Sequence, residues 1–200
     1  MYKRQVRDSR NGPELVDLIR RETGLHLETI TGTEEARLVW TALKSRVDFG
    51  DDVWLSVDLG GGSLEVSLVS AEGIHWTESH TMGTVRILED LGEGETDPKR
   101  FWRLVSEYAR TLRFPSRVSP GQISGLLATG GNMEALADLA GAEVDARGVS
   151  RVPVARLKDL ARTLARMSVE DRIRELGLRE DRADVILPAA LIYGHVARLA

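Results

Sequence analysis

The chain has 200 residues and a mass of 22.1 kDa, is 42 % hydrophobic but only 5 % aromatic, and carries 27 basic against 31 acidic side chains, a net charge of −4. That is enough for one good-sized globular domain or two small ones, and it excludes a structureless chain and a whole-surface positive field able to hold nucleic acid or anionic membrane. The lack of cysteine excludes disulfide scaffolds, zinc–cysteine sites and thiol catalysis and fits a reducing, cytoplasmic setting; the longest apolar stretch, Val185 to Gly194, is far shorter than the ~18 residues of a membrane span, and no secretory signal is visible.

Gly12 to Glu22 places Leu15, Leu18 and Ile19 at helical spacing, with Pro13 suited to a first turn and Gly24 to a stop. His26 to Ile30 alternates and predicts a brief strand ending at Gly32. Thr33-Glu34-Glu35 opens a second helix in which Ala36, Val39, Trp40, Leu43 and Val47 recur at three- and four-residue steps, capped by Thr31 or Thr33. Past Gly50-Asp51-Asp52 the period changes to two. Val53 to Asp58, Leu64 to Val69 and Ile74 to Thr81 read as three strands whose short connections imply antiparallel neighbours. Asp97-Pro98 starts a helix to about Phe114, Ile123 to Ala128 is a fourth strand, and Asn132 can cap a helix with Met133, Leu136, Ala137 and Ala140 on its apolar side. Val154 to Met167, Val169 to Leu176 and Asp184 to Leu199 complete the chain as helices, Pro188 falling near the start of the last. Strands and helices in this order make a mixed sheet with helices packed on it, an α/β plan.

Charge is segregated. Residues 51–100 hold three basic and eleven acidic side chains, a net −8, whereas residues 151–200 hold a net +3. The acidic quarter also contains the densest glycine cluster. In Val57-Asp58-Leu59-Gly60-Gly61-Gly62-Ser63-Leu64-Glu65 one carboxylate ends a strand, three glycines allow positive φ and close approach, a hydroxyl follows, and a second carboxylate begins the return strand. Amides in such a turn can cradle phosphate oxygens, and Asp58 with Glu65 can hold a hydrated Mg²⁺. The residues alone stand even between that and a glycine-rich hairpin with two solvated acids. Thr129-Gly130-Gly131-Asn132 is a second strand-to-helix glycine turn, read equally well as an Asn cap. Glu34 and Glu35 read as dipole-favourable first-turn residues. His26, His75, His80 and His195 show no ligand spacing. Trp40, Trp54, Trp76 and Trp102 read as packing residues, and the arginines between Arg151 and Arg182 as solvated helix faces.

VDLGGGSLEVSLV resembles the second phosphate loop of the exopolyphosphatase/guanosine pentaphosphate phosphohydrolase family, within the superfamily of actin, chaperone ATPases and sugar kinases. ETGLHLETITGTEEARLVW, TMGTVRILE and LLATGGNMEALA resemble three further family segments in the right order, and VRDSRNGPELVDLI and RADVILPAALIYG extend the likeness over about Val6 to Ala197. The resemblance implies an actin-like (ribonuclease H-like) mixed sheet with flanking helices, mostly the second domain of a two-domain cleft enzyme. It implies that Glu35 positions or deprotonates a water and that Glu65 is a second catalytic acid. Asp58 with Glu65 is implied to hold Mg²⁺ or another divalent cation, and Gly60, Gly61, Gly62, Ser63, Gly130 and Gly131 to bind phosphate.

The implied substrate is inorganic polyphosphate or guanosine pentaphosphate, with a homodimer among the expected states and neither nucleic acid nor membrane as a partner. Leu64 stands where the family commonly has Thr, which would cost the loop a hydroxyl. Thr31 replaces a frequent Ser, and Asn132 sits where Thr is common. The family's Asp-x-Gly-Ser-Asn-Ser first phosphate loop does not occur. Residues 1–49 are therefore expected to be the end of a first domain with an inter-domain helix, and 50–200 the second domain. By itself such a chain is expected to be inactive or nearly so. A nucleotide-dependent kinase or chaperone-type ATPase of the same superfamily, and a non-catalytic sensor of polyphosphate or guanosine polyphosphates, stand as alternatives.

Overall fold

A computed structural model describes residues 9–91, 103, 104, 107, 111 and 122–199. Among these residues α1 (Gly12–Thr23) and α2 (Gly32–Arg46) are followed by β1 (Val53–Leu59), β2 (Leu64–Val69), β3 (Ile74–His80) and α3 (Thr84–Leu91), and then by β4 (Ile123–Thr129) and α4 (Gly131–Leu139). α5 (Val154–Leu164), α6 (Val169–Leu176), α7 (Glu180–Ala183) and α8 (Ile186–Leu199) follow. The four strands form one mixed sheet in the order β3-β2-β1-β4, with β1–β2 and β2–β3 antiparallel, as the short turns require, and β4 parallel to β1.

The sheet has two unlike faces, because strand side chains alternate. One face carries Leu55, Val57 and Leu59 from β1 and Leu64, Val66 and Leu68 from β2, all buried, and packs on α8 through Ala189, Ala190, Ile192, Tyr193 and Val196. α8 in turn packs on α3, α4 and α5, so an apolar helix is buried on nearly every side. At 1.5–3 kcal/mol per buried large apolar side chain, in round terms, this face is the main source of stability. On the other face the register puts Ser56 opposite Ser67 and Ser67 opposite Thr77, and the Ser67 and Thr77 hydroxyls are 2.8 Å apart. That hydroxyl-lined face lies under α2.

Arg172 of α6 is buried, its guanidinium donating to Leu164 O at the end of α5 (Nη2, 2.9 Å) and to Ala183 O at the end of α7 (Nη1, 2.8 Å). It thereby satisfies carbonyls that a helix C-terminus leaves open. Burial pulls its pKa down while Asp184 opposes the shift.

Several sequence expectations need correction. His26 to Ile30 forms no strand: no described strand lies beside it to complete a ladder, and Leu25 is 65 % exposed. Asn132 is not a cap. Gly130 occupies the N-cap of α4, and Asn132 lies buried inside the first turn with Oδ1 accepting from Arg182 Nη1 at 2.7 Å. Thr31, rather than Thr33, caps α2, accepting from the Glu34 amide at 3.2 Å. The last helix begins at Ile186, two residues later than expected, and the short α7 before it was not foreseen. α3 was not foreseen, and the helix expected over Asp97 to Phe114 lies almost wholly outside the described residues.

His80 ends β3 with Nε2 buried and without a hydrogen-bond partner among the described residues. Burial lowers its pKa, and Glu78, 3.8 Å away, opposes the shift. The fold therefore prefers neutral imidazole, and the unfolded chain takes up the proton first on acidification. Stability contributed by His80 is present above the ordinary imidazole value of about 6.5 and is lost as pH falls towards its depressed folded value. Urea midpoints measured from about pH 7.5 down to about pH 5.5 should decline, and His80→Gln should flatten the decline. An identical slope in the variant would place its origin elsewhere.

Candidate active site

Asp58 and Glu65 are register partners across β1 and β2, and both project to the hydroxyl-lined face. In the same row Thr129 of β4 pairs with Asp58, and Ser79 of β3 pairs with Glu65, its hydroxyl donating to Glu65 Oε1 at 3.1 Å. Like charges placed directly opposite in a ladder repel. Glu35 approaches from above on α2, where its neighbour Glu34 turns to solvent and is held ionised by Arg37, which donates from Nε at 2.8 Å and Nη2 at 2.7 Å. Glu35 instead joins Asp58, Glu65, Ser56, Ser67 and Trp40 around a narrow cavity of about 10 Å³, the room of one water molecule. The structure thus brings together all three acids singled out in the sequence, although 30 residues separate the first from the last.

The glycine turn works differently from its expected conformation. None of Gly60, Gly61 and Gly62 has positive φ. The close approach belongs to another glycine: Gly83 lies against the Gly61–Gly62 peptide so tightly that a methyl group on Gly83 would overlap the Gly61 carbonyl and the Gly62 amide. The first turn of α3 then donates Thr84 N–H to Gly60 O (3.1 Å) and Val85 N–H to Gly61 O (2.9 Å). A trans peptide points its C=O and N–H in opposite directions, so the Gly61 and Gly62 amides face away from α3. The Gly60 amide closes the turn on Ser63 O at 2.9 Å, and Ser63 is buried.

The second turn abuts the first. Gly130 has φ 96°, and a Cβ there would come 3.2 Å from Asp58 Oδ1, so the Asp58 carboxylate sits against the N-cap of α4, where the helix dipole favours negative charge. Gly131 is covered by Arg182, whose Nη2 would lie 2.9 Å from a Cβ at that position. Tyr193, fully buried in α8, donates its hydroxyl to Thr129 O at 3.2 Å. Burial first and the Asp58 charge second push the phenol well above its ordinary range, so it remains a neutral donor. Gly83, Arg182 and Tyr193 were not singled out as site residues; the first lies in TMGTVRILE and the other two in RADVILPAALIYG, segments that carried the resemblance, but what the latter two touch depends on tertiary packing.

Leu64 costs the turn nothing on its ligand side. Its side chain lies fully buried in the apolar face, opposite to Glu65. Among the described residues no group of three or more His, Cys, Asp or Glu forms a metal cage. Two opposed carboxylates nevertheless fit a hard divalent cation that keeps several of its waters, as Mg²⁺ does. Among the described residues no helix is long and apolar enough to cross a membrane.

The profile of the Ppx/GppA phosphatase family matches residues 4–199. Exopolyphosphatase 1 of Mycobacterium tuberculosis is 30 % identical over 193 residues, covering 94 % of this chain and 56 % of the relative, so the chain spans just over half the length of the curated relatives it matches. An exopolyphosphatase from Cytophaga hutchinsonii superposes with a TM-score of 0.86 at 23 % identity, over 98 % of this chain and 65 % of the other. An Aquifex aeolicus member of the Ppx/GppA family gives 0.79 at 21 %, over 98 % and 64 %. These two likenesses establish the actin-like fold expected from the sequence.

The packing on the glycine turn predicts opposite behaviour for two glycines of the site. Gly83→Ala must displace backbone and should lower unfolding free energy by roughly 1–3 kcal/mol or more. Gly62→Ala, with nothing within 4 Å of its Cβ position, should stay within about 0.5 kcal/mol of the parent. Equal stabilities in denaturant titrations would contradict the described contact.

Proposed function

The chain belongs to the Ppx/GppA phosphatase family, and from that premise we propose that a protein carrying it hydrolyses the terminal phosphoanhydride of inorganic polyphosphate. The observation that carries this reading is the convergence of Glu35, Asp58 and Glu65 on one cavity the size of a water molecule. The relatives whose names specify an exopolyphosphatase supply the substrate class. Guanosine pentaphosphate, which ends in the same phosphoanhydride, is the second substrate to assay.

Glu35 orients a water and accepts its proton as the water oxygen bonds to the terminal phosphorus. The bridging P–O bond breaks, orthophosphate is released, and the shortened chain leaves with the bonding pair. The amides of Gly61 and Gly62 and those at the start of α4, after Gly130 and Gly131, donate to phosphoryl oxygens. Asp58 and Glu65 would hold Mg²⁺ or another divalent cation, which when bound neutralises charge on those oxygens. Residues 50–200 form the second domain in this reading, and residues 1–49 the end of a first domain whose remainder faces them across the cleft. Kinase or chaperone-type activity has less support, because the matched family is one of phosphatases.

Phosphate release from polyphosphate and from guanosine pentaphosphate, followed with a protein spanning the relatives' full length, tests the reading. Residues 1–200 alone should release little. Glu35→Gln should lower kcat by about 10²–10⁴-fold with the fold intact, and Asp58→Asn should raise the Mg²⁺ concentration needed for half-maximal rate. Undiminished turnover in Glu35→Gln would sink the assignment; ligand binding without any release by the parent would favour the sensor reading.

A further inference from the structure

α2 carries Glu35, yet little apolar adhesion holds it down. Ala36 is the one buried residue of the helix, Val39 and Trp40 are only half-buried, and the sheet beneath is lined by Ser56, Ser67 and Thr77 with Val69 as its one aliphatic cavity-lining residue. A polar floor of this kind leaves room for water and gives a helix little hydrophobic grip. Side chains from the C-terminal half of α2 supply the attachment. Trp40 donates its indole N–H to Ser70 O at 3.0 Å, and Lys44, one turn further along the same face, donates from Nζ to Ala71 O at 2.8 Å. The Lys44 ammonium lies 4.9 Å from the Trp40 ring centroid, within cation–π range. Both acceptors belong to the turn that joins β2 to β3. Arg46 adds a tie to Arg147 O at 2.8 Å.

We propose that Trp40 and Lys44 form a clasp on the β2–β3 turn that fixes the height and rotation of α2, and through it the position of Glu35 over Asp58 and Glu65. Trp40 is in this role a positioning residue. The geometry makes a short lever: Trp40 lies five residues, about 7.5 Å along the helix axis, from Glu35, while β2 runs from Glu65 at the site to Val69 beside the turn. One strand and one helix therefore connect the acids to the clasp. A displacement of the order of 1 Å between a water-positioning carboxylate and its target can cost 10²-fold in rate, so a modest loosening of α2 would be read out in the chemical step. The inference rests on the hydrolase reading for its kinetic consequence, but the clasp itself has a structural consequence independent of activity.

Trp40→Phe keeps an aromatic ring and removes the indole donor. Hydrogen exchange on residues 1–200 should then show faster exchange in α2, with β1 and β2 unchanged. In a protein spanning the relatives' full length, kcat for inorganic tripolyphosphate should fall about tenfold or more while KM stays within about twofold. Because the chain has no cysteine, the clasp can be replaced covalently: Lys44→Cys and Ala71→Cys, joined by a short bis-maleimide in the Trp40→Phe background, should restore both exchange protection and kcat. Unchanged α2 exchange in Trp40→Phe overturns the clasp. A loss of kcat that the crosslink does not restore overturns it too, since Trp40 would then act on the cavity directly. If the parent cleaves neither polyphosphate nor guanosine pentaphosphate, the hydrolase reading fails, and the exchange measurement still decides the clasp.

Discussion

The pairing of β1 with β2 leaves Asp58 no way to turn from Glu65. The same register that sets them opposite each other sets Leu59 opposite Leu64 and Val57 opposite Val66 on the other face. A slip of one residue would turn one strand over, sending its three buried aliphatic side chains to the polar face and its carboxylate into the core. Burial of each aliphatic side chain contributes roughly 1.5–3 kcal/mol, whereas cross-strand pairs of side chains interact by at most ~1 kcal/mol. The hydrophobic term wins by a wide margin, so the core fixes the two carboxyl groups opposite each other.

The same economy governs the turn between those strands. α3 could leave its first amides to water or to an anion; instead they bind the carbonyls of Gly60 and Gly61. That contact is possible only because Gly83 brings backbone against backbone. The positive end of the α3 dipole then lies against the glycine peptides and polarises them, which strengthens their outward amides as donors. An apparently flexible run of glycine is thus fixed by a helix that begins some twenty residues later.

What was legible in the sequence was the part determined locally. Alternation from Val53 to Val69 set the two strands and the turn that separates Asp58 from Glu65, whereas Glu35 read locally as a first-turn residue and came forward only through the resemblance. Long-range features were not legible. Alternation in His26 to Ile30 looked like a strand, but a strand exists only with a neighbour, and none lies there among the described residues. Asn132 read as a cap because Asn commonly serves as one; the competing partner, Arg182, is 50 residues away. Tyr193 looked like one more apolar position on a helix, and its hydroxyl matters only because α8 crosses behind Thr129. α3 is eight residues long and follows a strand without a cap signal, too short for periodicity to announce it.

Charge segregation along the chain has a physical counterpart in this arrangement. Local excess of carboxylate is hostile to a polyanion, and the net −8 of residues 51–100 would repel phosphate if nothing opposed it. Two opposing fields are built into the fold beside the acid pair: the N-terminus of α4 abuts Asp58 through Gly130, and Arg182 covers Gly131 while held by Asn132. The helix end and Arg182 stand to one side of the acid pair, where phosphoryl oxygens would lie under the proposed reaction. Ser79 donates to Glu65 without bringing a compensating charge, as a lysine in that position would.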